Sequence, residues 1–282
     1  MAMDQTLASP SRFDRAKRLV FGTVKAFMDP DVSLRCAGTA FFGFLSLFPA
    51  IGIVAFTYGL VADIKTFIKT IDTLESLVPG AVLDVLREQL AVLVTQPPAT
   101  LSVGLLVSVI LALWSGSRGV SALIYAMSRV RQEPERRNFV QTVFISVILT
   151  VFGAVFLSIS LVTIAGMPAL IPFPSGEDLL VLALRWPVLL VLTTVVLSIL
   201  YRWGPDRHSR KFKYIWPGAL LASLLWLIAG ALFSIYVENF SNYQASFGSV
   251  TAAVVLLLWL YNSAQIFVLG AAFNAQLDYT AN

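Results

Sequence analysis

Long runs without a single charged residue alternate with short charged connections along most of this chain. The first run, 36–62, is apolar throughout, and about 20 such residues in a helix cross the hydrocarbon core of a bilayer. Runs at 99–116, 140–170, 179–203, 214–237 and 247–277 repeat the pattern, so the chain is expected to be an all-α, polytopic bundle of six transmembrane helices. The second run is short for the core thickness. The third is interrupted at its far end by Gly166, Pro168, Pro172 and Pro174. The fourth carries Arg185, which either snorkels to the interface or binds an anion at the outer entrance. Thr39, Gly43, Ser46 and Ala50 in span one, and Gly218 with Ala222 in span five, are small residues that let a neighbouring backbone come close. Pro49 adds either a kink or a place where carbonyls face a cavity.

Three other stretches are amphipathic. Phe13, Ala16, Val20, Val24 and Phe27 recur at helical spacing among Arg12, Arg15, Lys17, Arg18, Lys25 and Arg35, so residues 1–35 read as an interfacial N-terminal segment ahead of a membrane domain at 36–282. Residues 63–98 show two apolar stripes, Ile64, Phe67, Ile68, Ile71 and Leu74, then Val82, Val85, Leu86 and Leu93, parted by Pro79-Gly80. They predict two amphipathic helices on the outer surface between spans one and two. The third stretch, 114–139, places Val120, Leu123, Ile124, Met127 and Val130 on one face and Arg118, Ser121, Tyr125 and Arg129 on the other, at about 100° per residue. That spacing predicts a helix lying along the membrane surface.

Charge fixes the expected sidedness. Five arginines between 114 and 139 stand against Glu133 and Glu135, and 202–213 holds Arg202, Arg207, Arg210, Lys211 and Lys213 against Asp206. Residues 63–98 sum to minus two, and the loop after span three holds Glu177 and Asp178 without a base. Basic connections stay in the cytoplasm, so both termini are expected inside.

Composition narrows the function. Hydrophobic residues make up 57% and charged residues 13%, with a mean hydropathy of +0.80, whereas soluble domains carry about 25% charge. The net charge is +4, yet the bases cluster at segment ends and form no stripe of the kind nucleic acid requires. One cysteine, Cys36, and one histidine, His208, leave no internal disulfide and no multi-histidine metal site. No GxSxG, HExxH or GxxxxGK[ST] pattern occurs, so neither an enzyme nor a cofactor is expected.

Candidate chemistry gathers in the last span, where Asn262, Gln265 and Asn274 interrupt an oily helix. Taking Asn262 as zero, Gln265 lies about 60° to one side and Asn274 about 120° round the other way, a shared half-face turned into the bundle. Two roles fit: glue between helices, worth about 0.6 kcal/mol per bond in lipid, or the lining of a substrate path with Tyr236, Glu238 and Asn239 at its outer mouth. Arg118 and Arg129 are either topological charges or sites for anionic head groups.

Three segments resemble the YihY/BrkB family of bacterial inner-membrane proteins, historically labelled ribonuclease-BN-like. They are AGTAFFGFLSLFPAI in span one, SRGVSALIYAMSRV with its basic continuation, and FSIYVENFSNYQASFGSVTAAVVLLLWLYNSAQIFVLGAAFNAQL at the end. Family members typically show a Tyr-Gly-Ser step before the final span and an acid near its inner end. Here these read Phe247-Gly248-Ser249 and Phe273-Asn274-Ala275. The resemblance implies six helices in a bacterial inner membrane, a link to virulence in some members, and transport of lipid or envelope precursors. The rival expectation is a scaffold whose outer helices, 63–98, hold an envelope partner.

Overall fold

The computed structural model describes residues 12–61, 97–132, 137–170, 178–206, 214–239 and 249–281. These form α1 (Arg12–Phe27), α2 (Pro30–Val61), α3 (Pro98–Val130), α4 (Phe139–Leu170), α5 (Asp178–Trp203), α6 (Trp216–Asn239) and α7 (Ser249–Ala281), with no strand among the described residues. Each helix from α2 to α7 contains a stretch long and apolar enough to span a membrane. Their surfaces support the same conclusion, because large apolar side chains stay exposed in stripes. Val140, Phe144, Ile148, Val151 and Val155 form one such stripe on α4, the arrangement expected of a helix solvated by lipid.

Two compact units divide the chain, one of residues 1–41 and 117–282, the other of residues 42–116. In the smaller unit the Phe42 ring meets Trp114 edge-on at 6.2 Å, and the Phe56 ring lies against Gly104, where a Cβ would have no room. In the larger unit, α4 packs on α5, α5 on α6, α6 on α7, and α7 on α1. The α6/α7 contact is built from small residues. Ala264, Ala271, Ala272 and Ala275 of α7 and Ala219, Ala222 and Ser223 of α6 are all buried, and Gly218 meets Gly270 so closely that a Cβ on either would collide with the other's carbonyl oxygen. Close backbone approach supplies the packing attraction that replaces the hydrophobic effect inside a membrane.

Helix ends follow local chemistry. Asp29 caps α2, its carboxylate accepting the Asp31 N–H at 2.9 Å, and Pro30 takes the first helical position, where a missing N–H costs nothing. Gln132 ends α3 in the left-handed region at φ 54°, a place more often held by glycine or asparagine.

The stretch 114–139 departs from the expected surface helix. α3 is unbroken from Pro98 to Val130; in its second half Leu123, Ile124, Met127 and Val130 are buried, and on the polar face Ser121 is buried, Arg118 and Tyr125 are half-buried and Arg129 is exposed. The Ser121 hydroxyl donates to Ser146 of α4 at 2.8 Å. The stretch thus continues the spanning helix, where a surface helix would lie across it, and Ser121 serves packing. α1 differs as well. Thr23 is buried, whereas Val20, Phe21 and Val24 are exposed and Phe27 is half-buried, so part of its apolar stripe stays outward. The predicted outer helices at 63–98 fall almost wholly outside the described residues.

Candidate functional site

The three amides of α7 have different surroundings. Asn274 is fully buried; its oxygen accepts the Gly218 N–H at 2.7 Å and its nitrogen donates to the Ile215 carbonyl at 2.7 Å. One side chain therefore satisfies two backbone groups at the start of α6, the place where a helix has unpaired donors. Asn274 thus joins α7 to the start of α6.

Asn262 and Gln265 lie one turn apart on the wall of a groove of about 580 Å³ between α6 and α7. Asn262 is exposed and Gln265 half-buried, and neither makes a hydrogen bond with another described residue. The rest of the wall is apolar and aromatic: Leu232, Phe233 and Tyr236 from α6, Trp259, Tyr261 and Ile266 from α7, and Phe27 from the end of α1. Phe233 stacks 4.9 Å from Trp259 and 6.0 Å from Tyr236. Behind them Trp226 contacts Trp259 at 5.8 Å and donates its indole N–H to Ser263 at 2.9 Å. Tyr261 is anchored by a 2.6 Å hydrogen bond shared with the Ser33 hydroxyl. The groove thus has rigid aromatic walls and two amides with open donors and acceptors, a surface suited to an amphiphile.

The structure brings together Tyr236, Asn262 and Gln265 from the expected path, separates Asn274 from them, and leaves the side chains of Glu238 and Asn239 outside the described set. Trp259 and Phe233 were missed in the sequence, although Trp226, Phe233 and Tyr236 recur at intervals of seven and three, the signature of one helical face.

The two candidate head-group arginines stand elsewhere. Arg129 donates to Asp29 at 2.9 Å and lies 3.6 Å from Asp31, on the wall of a second cavity with Lys25, Ser128 and Gln276. Its charge is largely met by these acids. Arg118 lies over the Phe139 ring at 5.4 Å. No group of three or more His, Cys, Asp or Glu side chains suited to a metal exists among the described residues.

Six apolar helices, lipid-facing stripes and a small-residue interface define a multi-pass α-helical membrane protein. The chain belongs to the family described as Virulence factor BrkB, which it matches over residues 23–282. It is 31% identical over 184 residues to a protein of Bacillus subtilis named putative ribonuclease-like protein YfkH, covering 60% of this chain and 64% of that one. It is 28% identical over 163 residues to a UPF0761 membrane protein of Idiomarina loihiensis, covering 56% of each. A UPF0761 membrane protein of Xanthomonas campestris is 36% identical over 84 residues, 30% of this chain and 20% of that one. The chain thus spans less than two thirds of these relatives. No solved structure matches it.

Proposed function

We propose that this protein moves amphiphilic molecules, lipids or envelope precursors, across the bacterial inner membrane, using the α6/α7 groove as part of the path. One observation carries the reading: two amides, Asn262 and Gln265, stand on a groove wall without hydrogen bonds to described residues, while the third amide of the same helix is fully used in packing. An unsatisfied amide in lipid is costly, so a polar group passing along the aromatic wall gains there what the protein does not supply. Arg118, half-buried and without an acidic partner among the described residues, draws the anionic head group in this scheme. Arg129, already paired, contributes less. Both termini face the cytoplasm, as the basic connections require.

Transbilayer movement of a fluorescent phospholipid in proteoliposomes tests the function and the groove together. The wild-type protein is expected to accelerate movement, and the Asn262→Ala, Gln265→Ala double variant to return it to the rate of protein-free vesicles. Movement undiminished in the variant removes the groove from the path; no movement by correctly folded wild-type protein removes the function.

A further inference from the structure

A second groove, of about 550 Å³, opens between the start of α4 and the end of α5. Its floor is apolar, made by Ile145, Ile148 and Leu149, and its rim is charged and aromatic, made by Arg137, Arg202, Trp203 and Asp206. The rim is asymmetric in a way that matters for charge. Arg137 is held in place, donating to the carbonyls of Gly204 at 2.7 Å and Pro205 at 3.1 Å and standing 3.8 Å from Asp206. Asp206 is buried, so one positive charge of the rim is matched locally. Arg202 is exposed and has no ion-pair partner among the described residues. One uncompensated guanidinium at the end of an apolar trough beside an exposed tryptophan has a definite complement: a single negative phosphate joined to acyl chains.

We propose that this groove is a binding site for one anionic phospholipid, its phosphate on Arg202 and an acyl chain along Ile145, Ile148 and Leu149. Guanidinium suits phosphate oxygens through paired N–H donors, and an indole ring at the head-group level suits Trp203. A free phosphate has no use for the apolar floor, and a zwitterionic lipid brings its own cation beside Arg202. The site is separate from the α6/α7 groove, and a lipid can reside in it whether or not the protein moves lipid.

Bromine-labelled lipids quench nearby tryptophan fluorescence. Full-length protein is placed in phosphatidylcholine vesicles containing a minor fraction of brominated phosphatidylglycerol or, in parallel, brominated phosphatidylcholine. The quenching lost on Trp203→Phe isolates this ring from the other five tryptophans. Quenching of Trp203 is expected to favour phosphatidylglycerol by about fivefold, the factor of one basic side chain beside an anionic lipid. Arg202→Gln should bring the ratio to unity, Arg202→Lys should keep a preference, and added inorganic phosphate should leave it intact. Equal quenching by the two lipids in the wild type overturns the proposal, as does a preference that survives Arg202→Gln or vanishes with free phosphate.

Discussion

Asn274, Asn262 and Gln265 are alike in chemistry and differ in what surrounds them. Asn274 uses its oxygen and nitrogen on Gly218 and Ile215, so truncation strands the Gly218 N–H in a dry contact and leaves the Ile215 carbonyl with the Ala219 N–H alone, at 3.3 Å. Asn274→Ala should therefore destabilise the protein by about 1–3 kcal/mol, the cost of stranding buried polar groups, read from unfolding in mixed detergent micelles. Asn262→Ala strands nothing among the described residues and should change stability by no more than about 0.5 kcal/mol. Equal losses would show that both amides are structural and would undercut the proposed groove. Sequence periodicity put the three on one half-face, which is true of the helix; it could not reveal that α6 begins against Asn274 and leaves a trough beside Asn262. That difference arises from the partner helix, and the pattern along α7 carries no trace of it.

Among whole elements, the apolar runs are easy to locate because lipid demands them, and each overlaps a helix of the structure over most of its length. The second half of α3 was harder. Its alternation of apolar residues with serine, glycine and arginine reads the same for a helix on a surface and for a helix whose small-residue face packs against neighbours. Burial of Ser117, Gly119 and Ser121 decides between them. The same physics predicts which glycines are structural. A methyl group at Gly218 would meet the Gly270 carbonyl and the Asn274 amide, whereas one at Gly153 meets nothing within 4 Å. Gly218→Ala should thus cost about 1–3 kcal/mol through overpacking at the α6/α7 crossing, and Gly153→Ala should leave the same unfolding transition unshifted or raise it. A tolerated methyl at Gly218 would mean that the two helices can separate without loss, contrary to a contact held by close packing.

Over the whole molecule, sidedness depends on charge distributed among connections that no single helix contains. The connection before α6 is basic, the stretch 63–98 is net acidic, and residues 240–248 contain Asn242 and Tyr243 and no base. Each charged residue obeys the electrochemical bias weakly, but they add, and one reversed loop would force every later helix to reverse. The chain carries its own means of testing this, because its single cysteine, Cys36, is fully buried and should stay silent to an aqueous thiol reagent. In a Cys36→Ala background, Arg210→Cys and Asn242→Cys should then behave oppositely in spheroplasts: a membrane-impermeant maleimide labels position 242 directly and reaches 210 only after the membrane is opened. The reverse pattern would put the basic connections outside and would also remove Arg118 from the inner leaflet, where head groups are proposed to enter. Labelling of both positions from outside would contradict an odd number of crossings between them, and with it the assignment of α6 as a span.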